Sequence, residues 1–377
     1  MPENFDVIIV GLGAMGSATA YHLAKQGKRV LGLDRFSPPH TFGSSHGETR
    51  IIREAYFEHP LYVPLVQRAY ELWADLERAS GQRLFVQTGG LMIGRAEGVV
   101  VGGAKRSAEQ HHLQHEMLSS AEVRRRFPGL QPAEEMVAVW EPRAGILFPE
   151  RCIEAHLSLA RQHGATLLAD APVVKWQPNG DGVSVFTAKA ELSATYLVLS
   201  AGAWLTSLVP DLKLPLTVER QMLFWFEPGA ERNLFHPSRC PIHLWEWTAG
   251  RFFYGFPDLG TGVKIARHHE GEITAPDNAC REVKPEEVAA MRNIILRKFL
   301  PKAADGLLRN ATVCLYTNTP DGHFLIDHHP SHPQVLIASP CSGHGFKFSS
   351  AIGEVLADLI TQGQPRFDPS LFRNRFC

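Results

Sequence analysis

Three glycines, Gly11, Gly13 and Gly16, follow the apolar run Asp6-Val-Ile-Ile-Val10 and lead into the small-residue stretch Ser17-Ala-Thr-Ala20. Arg29-Val-Leu-Gly-Leu-Asp34 then closes the unit on a carboxylate. In a strand–turn–helix–strand setting, Gly11 permits the sharp turn, Gly13 lets backbone approach a pyrophosphate, and Gly16 lets the helix pack closely on the strand. The unsatisfied N–H groups that open such a helix face phosphates. Asp34 stands where a carboxylate accepts hydrogen bonds from an adenosine ribose. The chemistry is dinucleotide binding; the alternative is a tight turn that holds nothing.

A second set of residues is suited to anions. Arg50 and Arg53 stand three apart at the end of the loop Gly43-Ser44-Ser45-His46-Gly-Glu-Thr, on one helical or turn face by spacing. Each offers a bidentate fork for carboxylate or phosphate, and ion pairs with Glu48, Glu54 or Glu58 are the competing use. Gly343-His-Gly345 repeats the physics of the first turn: a strand ends, glycines allow close approach, and a helix begins with its positive end exposed. An isoalloxazine ring placed there would gain stabilisation of negative charge along its N1–C2 carbonyl edge, which a nicotinamide does not need. Lys347 lies near that helix start, where cations are disfavoured, so it reads either as the partner of an anion such as a substrate carboxylate or as a solvated surface lysine. Lys264 interrupts the apolar run Gly262-Val-Lys-Ile-Ala266. Alternation along a strand favours an outward face for it; turned inward, it would meet negative charge developing during oxygen reduction.

These residues need elements to position them. Residues 36–49 are rich in turn formers and read as loop. Residues 62–76 carry Leu65, Ala69, Leu72, Trp73 and Leu76 at helical spacing. Residues 104–117 read as helix, as do 120–126, with Ser120 as cap and Arg124 to Arg126 on a solvated face. A second α/β passage begins near Phe148, with a helix over 151–163, short strands at 165–169 and 173–176, and a hairpin turning at Asp181-Gly182. Tyr196-Leu-Val-Leu-Ser-Ala-Gly202-Ala-Trp204 is a buried-type strand entering a small-residue turn. It either presses backbone on a cofactor held by the first turn or is an edge strand with a glycine turn. Residues 216–266 are aromatic and strand-like and predict an antiparallel or mixed sheet with one face lining a pocket. A helix over 286–300, strands at 322–327 and 335–339, and a helix running to Ile360 complete the chain.

The predicted fold is α/β with an α+β second domain. Residues 1–83, 147–215 and 321–377 form a discontinuous Rossmann-like domain, and 84–146 with 216–320 form a mixed or antiparallel-sheet substrate domain. The length of 377 residues suits two cores better than one. A formal net charge of -1 gives no general attraction to nucleic acid or anionic membrane, and no apolar run is long enough to span a bilayer. Met1-Pro-Glu-Asn-Phe5 lacks a basic region before an apolar one, so a cytoplasmic protein is expected. Cys152, Cys240, Cys280, Cys314, Cys341 and Cys377 form no regular framework and read as mostly free thiols. The pairs His111-His112, His268-His269 and His328-His329 lack a metal-binding spacing, so no metal is expected.

Taken together, Gly11-Leu-Gly-Ala-Met-Gly16, Pro38-Pro-His40, Gly43-Ser-Ser-His-Gly-Glu-Thr-Arg-Ile-Ile-Arg53, Tyr62-Val-Pro-Leu65, Tyr254-Gly-Phe-Pro257, Gly262-Val-Lys-Ile265, Cys314-Leu-Tyr-Thr317 and Ser342-Gly-His-Gly-Phe-Lys-Phe348 span nearly the whole chain. In these motifs the chain resembles the monomeric sarcosine oxidase and N-methyltryptophan oxidase family of D-amino-acid-oxidase-like flavoenzymes. The resemblance implies FAD joined covalently through Cys314 to the flavin 8α carbon, a position that spacing alone reads as an ordinary buried cysteine. It further implies that Arg53 and Lys347 hold a substrate carboxylate and that Lys264 activates oxygen. Tyr254 and His268 fall in or near the active site, and Ser44, His46 and Arg50 fall near the flavin. Two departures stand out. Ser45 precedes His46 where the best-known members carry two histidines, and Arg267 stands where an aromatic or neutral residue is expected.

The implied activity is oxidation of a secondary N-methyl amino acid, sarcosine or larger, by oxygen and water to the parent amino acid, formaldehyde and hydrogen peroxide. The expected partners are this small substrate and oxygen, and the chain is expected to be a monomer. Oxidation of a cyclic imino acid such as pipecolate or proline, or of glycine, would use the same clamp. A flavoprotein subunit passing electrons to a protein partner is the reading from a different class.

Overall fold

The computed structural model describes residues 4–373; Cys377 and the first three residues lie outside them. The chain opens with the strand Asn4–Val10, which passes through Gly11 into the helix Ala14–Lys25 and returns as the strand Val30–Leu33. Val7 to Val10 pair in parallel with Val30 to Leu33. On its other side Asn4–Val10 runs parallel to Glu191–Leu199, which in turn pairs in parallel with His332–Ser339. Strands distant in sequence thus lie side by side at the centre of a sheet of eight strands among the described residues. Val7, Ile8, Ile9, Leu197, Val198 and Leu336 are fully buried, as apolar runs covered on both faces require. The hairpin Val173–Asn179 and Gly182–Thr187 adds an antiparallel flap turning near Asp181-Gly182.

Helices Ala14–Lys25, Tyr62–Ser80, Pro149–Gln162 and Ser349–Gln362 cover one face of this sheet. Tyr62–Ser80 buries Leu65, Ala69, Leu72, Trp73 and Leu76 and ends at Gly81 in the left-handed conformation. A second sheet, of nine strands among the described residues, is built around Thr217–Phe226, Val263–His268, Arg251–Gly255, Ile242–Thr248 and Gly90–Arg95. It is mixed, since Ile242–Thr248 runs parallel to Gly90–Arg95 while its other neighbour is antiparallel. Its core packs Phe224, Phe226, Trp245, Phe253 and Phe299. A small antiparallel sheet of Arg50–Ile52, Gly145–Leu147 and Phe85–Gln87 lies apart from both.

Several local expectations are corrected. The helix expected over 104–117 is Val99–Gln110, and Glu116–Ser119 is a strand. The cap of the next helix is Ser119, one residue before the expected Ser120: its hydroxyl accepts from Glu122 N while the Glu122 carboxylate accepts from Ser119 N. Arg50 and Arg53 do not share a helical or turn face, because 50–52 is a strand. Residues 286–300 are helical but include a wide-turn stretch, Met291–Leu296, that keeps Met291, Ile295 and Leu296 buried.

Candidate active site

Asp34 ends the second strand with both carboxylate oxygens used: Oδ2 accepts from Leu12 N at 2.7 Å and Oδ1 from Phe36 N at 2.8 Å. The glycine turn is thereby tied to the acid that follows it. Gly11 has φ +93, and a Cβ there would lie 2.6 Å from Ser200 O, so only glycine suits the position. Ser200 Oγ donates back to Gly11 O at 2.8 Å. The strand Glu191–Leu199 therefore delivers its turn onto the first glycine turn, and Gly202 completes that wall with φ +55. Gly16 packs where a Cβ would lie 1.7 Å from Gly11 O, the close helix–strand approach expected of it.

A cleft open to solvent runs from this turn across the molecule. Gly11, Gly13, Asp34 and Gly202 line one part, and Gly343, Gly345 and Lys347 line another. The two glycine turns, more than 300 residues apart, thus face one space. Gly343 has φ +75, and a Cβ there would approach Tyr316, His268 and His269 to between 2.7 and 3.0 Å. Helical backbone begins directly after Gly345, as expected, but its first turn, Phe346–Phe348, is of the tighter 3₁₀ kind before the α-helix Ser349–Gln362. Lys347 therefore lies in this opening 3₁₀ turn, ahead of the α-helix itself.

At this end two cations are buried together. Lys347 Nζ donates to His344 O at 2.7 Å and to Tyr56 Oη at 3.3 Å. Burial, then the neighbouring Arg53 guanidinium, depress its pKa to about 7. The Arg53 guanidinium lies over the Tyr56 and Phe57 rings and is held by both Glu58 oxygens at 2.8 and 2.7 Å. Of the two uses open to Arg53, the ion pair is thus realised in this structure, and Arg53, Glu58 and Lys347 all line the cleft. Burial would raise the Glu58 pKa, yet Arg53, His344 and Lys347 together outweigh it and hold the group below the usual carboxylate value. Behind them Glu141 accepts from Glu54 N and Ala55 N at 2.7 and 2.8 Å, anchoring the backbone just after Arg53. Burial pushes the Glu141 pKa up to about 7.

Lys264 points inward, against the alternation reading, and is 2% exposed. Both faces of Val263–His268 are covered, which removes the polar side that the alternation argument needs. Its three N–H donors meet Gly47 O at 2.6 Å, Thr49 O at 2.9 Å and Thr49 Oγ1 at 3.0 Å, with the Trp225 and Phe256 rings alongside. Burial, then Arg50, put its pKa well below the ordinary lysine value. Lys264 does not itself line the cleft, nor do His46 and Gly16. His46 is buried, and burial together with Arg50 brings its pKa down to about 3, so it is neutral at physiological pH.

Cys314, Ser44, Arg50, Tyr254 and His268 do line the cleft. Arg50 donates to Ser44 O at 2.7 Å and approaches Cys314 Sγ at 3.7 Å. His268 Nδ1 lies 3.1 Å from Tyr316 Oη, and burial keeps that imidazole neutral. Arg267 pairs with Glu270 at 3.2 Å and is absent from the lining, so the unexpected arginine does not charge the cleft. Residue-by-residue reading passed over Tyr56, Glu141 and Glu150. The first two act on backbone or on other site residues, and Glu150 bonds a turn about a hundred positions away, so no short motif marks any of them.

A large ligand fits this space on its own terms. Gly13 meets nothing nearer than Ser45 Oγ at 3.9 Å, and a Cβ at Gly202 would meet nothing within 4 Å, so backbone lies bare to the cleft. The buried Thr317 Oγ1, on the lining, finds no partner among the described residues. Fold and cleft together define a dinucleotide-binding α/β protein whose second sheet contributes Leu244, Tyr254, His268 and Cys314 to the cleft wall. The chain belongs to the FAD dependent oxidoreductase family, whose profile matches residues 6–359. It is 45% identical to the monomeric sarcosine oxidase of Streptomyces avermitilis over 379 residues, covering 100% of this chain and 98% of that protein. It is 36% identical to the N-methyl-L-tryptophan oxidase of Salmonella typhimurium over 375 residues, 98% of each chain. Among solved structures, the open form of NikD, an unusual amino acid oxidase essential for nikkomycin biosynthesis, superposes with a TM-score of 0.84 at 24% identity, covering 98% and 97% of the two chains. L-proline dehydrogenase from P. horikoshii superposes at 0.83 with 22% identity, covering 97% and 96%. These two likenesses concern the fold. The protein is an FAD-dependent oxidoreductase, and no helix among its described residues is long and apolar enough to cross a membrane.

Proposed function

We propose that this enzyme oxidises a secondary N-methyl amino acid, sarcosine or a larger relative, with oxygen and water, releasing the parent amino acid, formaldehyde and hydrogen peroxide. The observation that carries this is the pair of buried cations, Arg53 and Lys347, on the cleft shared by both glycine turns. The names of relatives 45% and 36% identical over essentially the full chain support the N-methyl class. FAD, when bound, would supply the two-electron redox chemistry that couples oxidation of the substrate's CH–NH group to reduction of oxygen to hydrogen peroxide.

The chain's own residues supply orientation and field. Arg53 and Lys347 receive the substrate carboxylate, which competes with Glu58 for the arginine fork. Holding the carboxylate fixes the N-methyl group, and this positioning is the chief entropic contribution to rate. The two cations also favour the neutral amine over the ammonium form by like-charge repulsion. Tyr254 and His268 shape the substrate end of the cleft, and the neutral His268 adds no charge there. Lys264 is the cation that meets negative charge developing on oxygen. Gly11, Gly13, Asp34 and Gly202 would hold the dinucleotide, with Gly16 letting the helix pack close behind them and Gly343 and Gly345 offering backbone to its ring system. Cys314 is the attachment point for the flavin, flanked by Ser44, His46 and Arg50. In this reading 1–83, 147–215 and 321–377 bind FAD, 84–146 and 216–320 bind substrate, and the protein is a cytoplasmic monomer.

The test is an anaerobic panel of sarcosine, N-methyltryptophan, N-methylalanine, proline, pipecolate and glycine, read by loss of the flavin's yellow colour. Bleaching by an N-methyl amino acid, with peroxide formed on admitting air, is expected. Bleaching by the cyclic or primary substrates alone would refute the proposal.

A further inference from the structure

The cage around Lys264 depends on a residue that takes no part in the chemistry proposed above. Glu150 stands in the first turn of Pro149–Gln162. Its Oε1 accepts from Gly47 N at 2.7 Å and from Glu48 N at 3.1 Å. These two residues have φ +97 and +70, so a non-glycine residue, Glu48, is held in the left-handed region that ordinary side chains avoid. The Glu48 carboxylate is itself pinned by Trp225 Nε1 at 3.0 Å and Thr261 Oγ1 at 2.9 Å. The turn so fixed presents Gly47 O, Thr49 O and Thr49 Oγ1 to Lys264 Nζ, using all three donors of the ammonium group.

We propose that Glu150 is a positioning residue for Lys264, fixing through two backbone bonds the turn that cages the ammonium group and offsetting its charge from across that turn. The inference rests on the reading of Lys264 as the oxygen-side cation. Every charged or titratable neighbour of Lys264 bears on the balance. Arg50 opposes the charged lysine, as does burial; Glu150 is the strongest of the groups that favour it, with Glu48 after it, while Cys314 contributes only as a free thiol and drops out once its sulfur is a thioether to the flavin. His46 also feels Lys264 but is neutral at physiological pH. The Trp225 and Phe256 rings contribute cation–π attraction on the remaining sides. Among the described residues no acid is hydrogen-bonded to Nζ directly, so charge compensation acts through the turn.

Glu150→Gln separates the two contributions, because the amide oxygen can still accept both N–H bonds while the charge is gone; Glu150→Ala removes both. The first readout is the pH titration of the Lys264 Cε resonance in holoenzyme carrying carbon-13-labelled lysine, assigned by its loss in Lys264→Met. Glu150→Gln is expected to lower the midpoint by about one pH unit. The second readout splits the half-reactions. Reoxidation of the anaerobically reduced enzyme by oxygen should slow, with its pH profile displaced in the same direction, while reduction by substrate stays within about twofold. An unchanged Lys264 titration in Glu150→Gln overturns the inference, as does equal loss in both half-reactions. Failure of the underlying reading is seen separately: Lys264→Met would then leave reoxidation untouched, whatever the titration of Lys264 in Glu150→Gln.

Discussion

The protonation of Lys347 is expected to set the pH dependence of carboxylate binding. Burial and the Arg53 guanidinium bring its pKa to about 7, against roughly 10.4 for a free lysine. Between those values the unfolded chain holds a proton that the folded chain has released, so this group's contribution to stability rises with pH through the window. Its cost is fully present below pH 7. Ligand binding has the opposite sign. A carboxylate laid on Lys347 requires the charged form, so binding above pH 7 takes up a proton. The dissociation constant of a carboxylate without an amine, such as propionate, should be flat below about pH 6 and then rise by up to tenfold per pH unit. From pH 7 to 9 the one-proton linkage amounts to about 50-fold. Lys347→Met should abolish the slope and weaken binding at pH 6 by about 10- to 150-fold, the equivalent of a charged hydrogen bond worth roughly 1.5–3 kcal/mol. Titration calorimetry in buffers of different ionisation enthalpy measures affinity and proton uptake together. His344 and His268 do not interfere, since His344 is lowered to about 4 and His268 also falls well below its usual value. Glu141, whose pKa burial also brings to about 7, accepts from backbone N–H groups and does not line the cleft, so its titration is not linked to the ligand. A flat wild-type curve from pH 6 to 9, or a slope retained in the variant, would refute the reasoning.

Four further outcomes are expected. Glu58→Gln should tighten propionate binding by about tenfold or more, because the fork of Arg53 loses its internal carboxylate. It should also lower ligand-free stability by about 3 kcal/mol in denaturant melts, since a buried ion pair is broken; weaker propionate binding would contradict the competition. Cys314→Ala should release its FAD into the supernatant on acid precipitation while wild-type protein keeps its colour in the pellet, and complete release from wild type would exclude the covalent link. Lys264→Met should slow reoxidation by oxygen far more than anaerobic reduction in stopped-flow traces; equal loss would remove its assigned role. Gly343→Ala combines a left-handed backbone with contacts to Tyr316, His268 and His269, so holoenzyme stability should fall by about 1–3 kcal/mol, whereas an unchanged thermal midpoint would show that the turn relaxes freely.

What was legible in the sequence follows from the range of the forces involved. The first glycine turn is largely a local device: Gly16 packs on Gly11 and Asp34 binds Leu12 N within one βαβ unit, so their types and spacing carry the message, although Gly11 also meets Ser200 at the end of a distant strand. Tyr62–Ser80 was equally readable, because its buried stripe recurs every three to four residues. Val99–Gln110 was displaced in the reading since Gly102 and Gly103 argue against a helix interior, yet Gly103 packs where a Cβ would lie 2.4 Å from Phe57 O. Lys264 shows the limit of alternation. On a strand with both faces buried, period two no longer separates inside from outside, and only the cage of Gly47 and Thr49 decides. Cys314 had no local signature at all; its place near Arg50 and Ser44 arises from the pairing of Leu308–Asn318 with Thr217–Phe226 and was anticipated only through family resemblance.

The two lysines of the site are compensated in different ways, and the difference bears on what each can do. Lys347 shares its pocket with a true ion pair, Arg53 with Glu58, so the local set carries two basic groups and one acid. One incoming carboxylate completes the charge balance, and the proton that Lys347 loses near pH 7 is the one such a ligand would restore. Lys264 is held by carbonyl and hydroxyl oxygens, with its acids a turn away, so it has no fork for a ligand to capture. It cannot exchange partners without breaking its cage. It can act only as a fixed, buried source of field, which is what a species gaining negative charge transiently requires. A binding cation must be displaceable from its internal partner, and a field cation must not be. Exchange of Glu58 for a ligand carboxylate and immobility of the 47–49 turn are therefore complementary demands on one cleft. They place the mobile acid at the Arg53 end and the anchored acid, Glu150, at the other.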